Sequence, residues 1–314
     1  MKYSCSISLA LLLAALCLLP ACRKDPMAPL SAFVECTPLP TGPSNGWDYM
    51  WDRHFIQHPS FNPEDPDLIL FTHAPYAGDV RQVCVLRLST GERTVAFEGS
   101  VMLRCHWLDG NRIVVNTDQG VCLVDKTGNG PTCITGPGRF AYVVDRQQAR
   151  IVCNDGLGNL IVMDAEGTTL ETFVPGCSPQ VQAVWMQNGN FVELYCYGLR
   201  AVDPWACTNE LLAPLPQGAH SCGAGLVEVS GNAVLWSETT GLYRTDLASK
   251  QTVLLRNSCN RNYLAGLSYD PIGRRILSAL VHFEPDGSTL MRISSKLVLL
   301  DEEGATIQEI GLDW

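Results

Sequence analysis

Cysteine and histidine are the residues of this sequence with the widest chemistry, and several lie in turn-rich segments. Eleven cysteines follow Cys22. Because this number is odd, at least one thiol stays free if disulfides form only within the chain. CxxC spacings are absent, which argues against the usual tetrathiolate zinc site. Three cysteines and three histidines fall in connections between predicted strands: Cys177, Cys222, Cys259, His73, His220 and His282.

This set of thiols and imidazoles has two interpretations. Brought to one rim, the six side chains can bind a metal ion. Alternatively, cysteines on neighbouring elements form a disulfide, either Cys177–Cys222 or Cys222–Cys259, and the histidines are ordinary surface residues. The second interpretation is favoured because no HExxH or other compact ligand motif is present. We therefore expect neither a metal ion nor a cofactor.

A further pair of cysteines, Cys122 and Cys133, can be placed by register. If Asp125 pairs with Gly130 across a turn, the two cysteines lie opposite each other on adjacent strands. Directly opposed Cβ atoms are about 4.5–5.5 Å apart, slightly beyond the disulfide optimum. A cross-strand disulfide and two buried thiols both remain compatible with this spacing.

The sequence contains no catalytic motif that indicates a particular reaction. There is no P-loop, and no GxGxxG follows a predicted strand. Carboxylates drawn from separate repeats would leave no spacing in the sequence, so a glycosidase-like acid pair is left open. No catalytic residue is predicted.

The elements that must position these residues are short strands, repeated six times. An apolar strand ending in Asp and a turn recurs five times, and a first copy has Leu88 in place of the Asp. The equivalent positions are 88, 125, 164, 203, 246 and 301. Upstream of each comes a second marker, an apolar or aromatic residue followed by a turn and a strand, as in Trp107-Leu108-Asp109-Gly110. Each unit thus contains four strands, A to D. Units of this size and strand number are typical of propeller blades, and a β-sandwich is the alternative.

The repeat resembles that of TolB-like propellers, also called WD40-like or PD40 repeats. Phe61-Asn62-Pro63-Glu64-Asp65 and Tyr269-Asp270-Pro271-Ile272-Gly273 keep most of the family's first signature. The resemblance implies an all-β, six-bladed β-propeller with four antiparallel strands per blade. The resemblance covers about residues 58–312, the predicted propeller domain is 55–314, and the predicted blades are 58–100, 101–137, 138–177, 178–216, 217–258 and 259–312.

The N-terminus indicates export. Lys2 precedes a short apolar run at residues 7–19, which has the layout of a signal peptide and is too short to span a bilayer. The following Leu19-Pro20-Ala21-Cys22 resembles the lipobox of bacterial lipoproteins. That resemblance implies cleavage after residue 21 and lipidation of Cys22, with two or more acyl chains giving a lasting anchor.

Residues 22–54 are rich in Pro and Gly and predict a spacer. Trp47, Tyr49 and Trp51 interrupt it, and they either pack on the propeller or lend it a strand. Removing Lys2 with the signal peptide changes the net charge from −10 to −11. An acidic body argues against nucleic-acid binding.

The ligand face is predicted where the D–A and B–C connections meet. His73, His220, His282 and Asp286 are the candidate rim residues there. The last B–C connection, residues 281–290, is either a recognition loop or a hairpin extension around an Asp-Gly turn.

These observations predict a lipid-anchored lipoprotein of the bacterial cell envelope, with the outer membrane favoured over the inner. The propeller is expected to bind or scaffold a protein, peptide or glycan without catalysis. The alternative is a propeller glycoside hydrolase or polysaccharide lyase. Three or more acids around the axis, or histidine together with acids, would favour that alternative.

Overall fold

The structure is a computed structural model, and it describes residues 48–51, 54–74, 80–100, 105–155, 157, 159–173, 183–186, 189–195, 198–216, 225–258, 262–286 and 290–312. Contacts divide the chain into two units, Met1–Glu35 and Cys36–Trp314, and every described residue belongs to the second. Cys22, the signal peptide and most of the spacer lie outside the described residues. No helix in the described ranges is long and apolar enough to cross a membrane.

The predicted fold class is confirmed, because six blades of four antiparallel strands each form a six-bladed β-propeller, with one further strand added to the sheet of the last blade. Each sheet comes from consecutive strands, A (innermost) to D (outermost). In chain order the strands of blades 1 to 3 are β2(Phe55–Phe61), β3(Leu68–Ala74), β4(Val80–Arg87), β5(Arg93–Ser100), β6(His106–Trp107), β7(Arg112–Thr117), β8(Gly120–Asp125), β9(Thr132–Cys133), β10(Ala141–Asp145), β11(Arg150–Asn154), β12(Leu160–Met163) and β13(Thr169–Thr172).

Blades 4 to 6 follow the same order. Their strands are β14(Ala183–Trp185), β15(Phe191–Tyr195), β16(Gly198–Asp203), β17(Thr208–Pro214), β18(Gly225–Ser230), β19(Ala233–Glu238), β20(Gly241–Asp246), β21(Thr252–Asn257), β22(Asn262–Asp270), β23(Arg275–Asp286), β24(Leu290–Asp301) and β25(Thr306–Ile310).

Burial follows strand position within a blade. The B strand β19 is buried at all six residues, whereas the D strand β13 is exposed at all four. B strands are covered on both faces by the adjacent blades, which explains their nearly continuous apolar sequences. The cores therefore lie between blades: Leu70 and Trp107 share the core between blades 1 and 2, and Phe61 and Leu277 share the core between blades 1 and 6.

The two sequence markers are both turns closed by an Asp side chain. In the C–D turn of blade 2, Asp125 accepts a hydrogen bond from the Thr127 amide at 2.7 Å. In the A–B turn of blade 6, Asp270 accepts from the Ile272 and Gly273 amides at 3.0 Å each. A carboxylate that caps nearby amides fixes the turn without tertiary help, which is why the pattern was visible in the sequence.

Ring closure joins blade 1 to blade 6 through two serines. Ser268 accepts a hydrogen bond from the Phe61 amide at 2.9 Å. Ser295 accepts from the Ile56 amide and donates to the Ile56 carbonyl. The first and last blades are thus fastened by hydrogen bonds and a shared apolar core, while all four strands of each blade come from neighbouring sequence.

The aromatic segment before the propeller forms β1(Asp48–Trp51), which pairs in parallel with Leu290–Ile293 of β24. The spacer therefore lends a strand to blade 6. The described part of the segment 281–290, residues 281–286 and 290, extends the hairpin of blade 6, since the β23–β24 register runs unbroken to Asp286↔Leu290. Recognition by this segment stays a prediction.

Candidate functional site

The best-formed concave site is a cavity of about 590 Å³ on the axis of the propeller. Residues from the A strands of all six blades line it, and so do residues of several A–B turns, including Pro63, Gln147 and Ile272. A volume of this size falls in the range of small-molecule pockets, about 300–1,000 Å³. The cavity thus opens at the end of the axis where the A–B turns lie.

Close contacts between A strands shape the wall of the cavity. The backbone of Gly266 is in the left-handed region, with φ +66°, and a Cβ atom there would lie 3.2 Å from the Cα of His58. Both residues sit at bulges that interrupt the register of their strands. Glycine is favoured here because other residues rarely adopt a positive φ, and an added Cβ would ask the backbone of blade 1 to move by a few tenths of an ångström.

Arg146 is the most distinctive side chain of the cavity. It follows directly after β10 in blade 3, yet its Nη2 donates a hydrogen bond to Ser60 Oγ of blade 1 at 3.1 Å. The two residues are 86 positions apart in the chain. The side chain therefore reaches across the cavity from one blade toward another that is not its neighbour.

The charge of Arg146 is not neutralised by the described protein. No carboxylate in the described ranges lies within ion-pair distance of its guanidinium. The surrounding protein lowers the pKa of Arg146 to about 10 by desolvation, but the group still carries its proton at neutral pH. The open cavity keeps the side chain accessible to solvent, so a cation faces the ligand space.

The second arginine of the lining, Arg150, serves the structure. Its Nη2 forms an ion pair with Asp145 at 2.9 Å, and its guanidinium lies over the Trp185 ring of blade 4, 4.7 Å from the centroid. Asp145 also accepts from the Gln147 and Gln148 amides. This cluster closes an A–B turn and joins blade 3 to blade 4.

Blade 6 repeats the same arrangement at the ring closure. Arg275 pairs with the buried Asp270 at 2.8 Å and lies over the Phe61 ring of blade 1 at 5.6 Å. Two of the three carboxylates in the lining, Asp145 and Asp270, are thus committed to turns and ion pairs. Glu228 is the third, and His58 and His106 add imidazoles.

The described rim residues predicted from sequence lie away from this cavity. His73 is buried in β3, where its Nδ1 contacts Gln82 Oε1 and its Nε2 contacts His54 Nδ1, both at 3.0 Å. His282 lies in the extended hairpin, with Nδ1 2.6 Å from Asn262 Oδ1. Asp286 ends β23.

Several other predicted residues, His220, Cys177, Cys222, Cys259 and Cys22, lie outside the described residues. The described residues contain no cluster of His, Cys, Asp or Glu that could hold a metal ion.

The described cysteines are either disulfide-bonded or buried as free thiols. Cys122 and Cys133 form a disulfide with an S–S distance of 2.05 Å, across the C and D strands of blade 2. Cys207 is also disulfide-bonded. Cys84, Cys105 and Cys153 are buried free thiols, and burial raises the pKa of Cys105 to about 12. A thiol with so high a pKa is a poor nucleophile at neutral pH.

Sequence reasoning missed Arg146 and the cavity around it. The residue was visible in the first marker of repeat three, Val144-Asp145-Arg146-Gln147. Nothing in the repeat indicates that the end of this A strand points into the axis rather than outward. The signal available was an unmatched basic residue in a turn position where the other blades have none.

Comparison with known proteins gives similarity of fold only. The chain matches no protein family and no curated protein at the sequence level. Two Bacteroides thetaiotaomicron structures align with a TM-score of 0.51. One is the extracellular domain of a putative one-component system, at 13% identity over 83% of this chain and 39% of that one. The other is an auxiliary nutrient binding protein, at 10% identity over 82% and 69%.

An oligogalacturonate lyase from Vibrio parahaemolyticus aligns with a TM-score of 0.45 and 11% identity, over 82% of this chain and 77% of the lyase. The chain spans about two fifths of the one-component domain's length. At these identities the similarities extend to the architecture alone, and this chain is a six-bladed β-propeller.

Proposed function

We propose that this protein is a lipid-anchored binding module of the bacterial cell envelope whose ligand enters the axial cavity. The observation that carries the binding role is the cavity of about 590 Å³, lined by the inner strands of all six blades. Walls built from six rigid sheets give a pocket that exists before the ligand arrives, so little conformational entropy is lost on binding.

The anchoring part of the proposal is supported by the sequence around Cys22. A lipid on this residue would hold the propeller at a membrane outside the cytoplasm, with the outer membrane favoured. Ligands available at the envelope include peptides and glycans. The propeller fold is used outside the cytoplasm in the extracellular domain named above.

The described lining contains three carboxylates and two imidazoles, which meets the count that was expected to favour the hydrolase or lyase. We nevertheless favour a binding role, because two of the three acids are engaged in structural contacts. Glycoside hydrolysis usually needs a pair of carboxylates available to the substrate. In the described lining, Asp145 and Asp270 are each held by an arginine and by turn amides. Glu228 is then the remaining carboxylate of the described lining, so this part of the chain does not supply the pair.

The anchor is tested by metabolic labelling with an alkyne palmitate analogue in a bacterial host, followed by membrane fractionation. The full chain should take up the label and sediment with membranes, whereas Cys22→Ser should do neither. Cys36→Ser, a matched change within the spacer, should behave as the unmodified chain. Label on the Cys22→Ser protein would contradict the anchor.

The binding role is tested by blocking the mouth of the cavity. Gln147 is exposed and lines it, so Gln147→Trp places an indole in the opening. Gln251, exposed on the C–D turn of blade 5, gives the matched control Gln251→Trp. On glycan and peptide arrays, ligands of the unmodified protein should keep binding to the control and lose binding to Gln147→Trp. Ligands that ignore Gln147→Trp would place the site elsewhere.

A further inference from the structure

We infer that the axial cavity binds a carboxylate-bearing saccharide of a few units, with the carboxylate held by Arg146 beside Ser60. This inference rests on the proposed ligand role of the cavity and specifies its chemistry. The starting observation is the Arg146 side chain, which spans the cavity to Ser60 Oγ at 3.1 Å and has no carboxylate partner in the described ranges.

The argument for an anion is energetic. A ligand that fills the cavity would displace water from the exposed Arg146 guanidinium. The solvation free energy lost in this way is recovered only when the ligand offers an opposite charge or strong acceptors. Arg150 and Arg275 recover it through Asp145 and Asp270. Arg146 has a single neutral hydroxyl instead. A ligand anion would give it the compensation that the other two arginines find within the protein.

The argument for a carboxylate rests on geometry and charge. A guanidinium presents paired N–H donors that match a carboxylate in a bidentate way. One uncompensated arginine suits one negative charge, whereas a phosphate monoester carries nearly two near neutral pH and would call for a second cation. Arg150 is already paired.

The argument for a saccharide rests on the rest of the lining. Gln147, Gln148 and Ser230 are exposed and border the space, so amide and hydroxyl groups are available to sugar hydroxyls. The exposed Ile272 adds apolar surface beside them. The net charge of −10 repels an anion at long range, so affinity must come from local contact with Arg146 rather than from steering.

The test is calorimetric titration of the full chain in detergent. The probes are three uronate trimers (manno-, galacto- and gluco-configured), each beside its neutral trimer, with trialanine as a peptide carboxylate. At least one uronate should bind at least tenfold more tightly than its neutral counterpart. Arg146→Gln should weaken that uronate by about 10- to 100-fold, the effect of losing a charged hydrogen-bonded pair, and leave the neutral trimer unchanged.

Two control variants keep the result interpretable. Arg244→Gln removes a matched positive charge from the exposed face of β20 and should leave every affinity unchanged. Arg146→Lys keeps the charge without the bidentate geometry and should bind the uronate with intermediate affinity. This variant takes the place of Arg146→Gln if the glutamine variant does not fold.

The outcomes separate this inference from the function on which it rests. Neutral trimers that bind as well as uronates, and are blocked by Gln147→Trp, would overturn the carboxylate and leave the cavity as the binding site. Preference for trialanine over every uronate would overturn the saccharide. Absence of binding by all probes overturns the inference, and if array ligands also ignore Gln147→Trp, the proposed function fails with it.

Discussion

Single residues of the axial cavity divide into those that hold the propeller together and one that faces the ligand space. Asp145 and Asp270 each cap a turn and pair with an arginine that stacks on an aromatic ring of the next blade. Arg146 stands outside this scheme, because its only polar partner in the described ranges is Ser60. A residue that breaks the local pattern of its repeats, without a compensating contact, is where function is best sought.

The buried His73 makes a prediction about pH. Burial lowers the pKa of His73 from 6.5 to about 4, with the charges of His54 and Arg93 adding to the effect and the Gln82 hydrogen bond opposing it. Between these values the unfolded chain binds a proton that the native protein does not. The free energy of unfolding should therefore decrease as the pH is lowered, by about 1.5 kcal/mol between pH 6.5 and about pH 5.

The measurement is urea denaturation across this range, with His73→Gln for comparison. The variant lacks the titrating imidazole, so its stability should depend on pH less steeply than that of the unmodified protein, by about the same 1.5 kcal/mol. The carboxylates titrate in both proteins and cancel in the difference. Parallel curves would show that His73 is protonated as readily in the native state as in the unfolded chain.

The C–D turns and strand β1 show why the repeat could be predicted from the sequence, whereas the strand added to the last blade could not. The C–D turns after β8 and β20 are closed by Asp125 and Asp246 through amides two or three residues ahead, so the signal is local. Strand β1, in contrast, pairs with residues more than 200 positions away. Tryptophan and tyrosine in the spacer showed that something packs there, but no local pattern names the partner strand.

The pairing of β1 with β24 predicts that disrupting β1 speeds hydrogen exchange only in the first part of β24. Tyr49→Pro and Met50→Pro each remove one backbone donor, and alternate residues of an edge strand point their N–H groups to opposite sides. One of the two variants should therefore release β1 and speed hydrogen exchange at Leu290–Ile293. Leu297 to Leu300, which pair with β25, should stay protected and serve as the control within the same strand.

The matched changes Tyr49→Ala and Met50→Ala keep the donors and should preserve protection at Leu290–Ile293. Equal exchange in both proline variants and the unmodified protein would mean that β1 contributes nothing to this edge. Loss of protection along the whole of β24 would mean instead that blade 6 unfolds as one unit.

The six blades of the propeller form a closed ring. Blades 1 and 6 meet at a seam where the chain does not run directly from one blade to the next, so we expect this contact to be the weakest in the ring. No strand is exchanged between these two blades in the described residues. The seam relies on the core around Phe61 and Leu277, on Ser268 and Ser295, and on the contact of Arg275 with the Phe61 ring. Each blade can bury its faces only when both neighbours are in place.

Removing the seam serines should loosen the ring there first. Ser268→Ala with Ser295→Ala leaves the Phe61 amide and the Ile56 amide and carbonyl without side-chain partners. At about 1–3 kcal/mol for each of the three groups, the free energy of unfolding should fall by about 3–9 kcal/mol, measured by denaturation. Hydrogen exchange should rise first in blades 1 and 6.

Ser230→Ala, at an exposed serine, is the control and should change stability by less than about 0.5 kcal/mol. Exchange that rises equally in all six blades would show that the ring opens cooperatively and that the seam is no weaker than its other contacts.

The sequence by itself determined the architecture of this protein. Turn-capping aspartates and short apolar strands act within a few residues, so six copies of one strand-and-turn pattern, five of them with the Asp that ends the third strand, predicted six four-stranded blades. The spacing also placed Cys122 opposite Cys133, since hairpin register follows from turn length, although it could not decide between a disulfide and two thiols.

The tertiary structure decided where the candidate site lies. Arg146 and Ser60 are far apart in the chain and meet only because the blades close around an axis. The wall of the cavity includes the bulges at His58 and Gly266, where the strands of blades 1 and 6 approach closely. Such long-range contacts arise from the packing of all six blades at once, and no local sequence pattern encodes them.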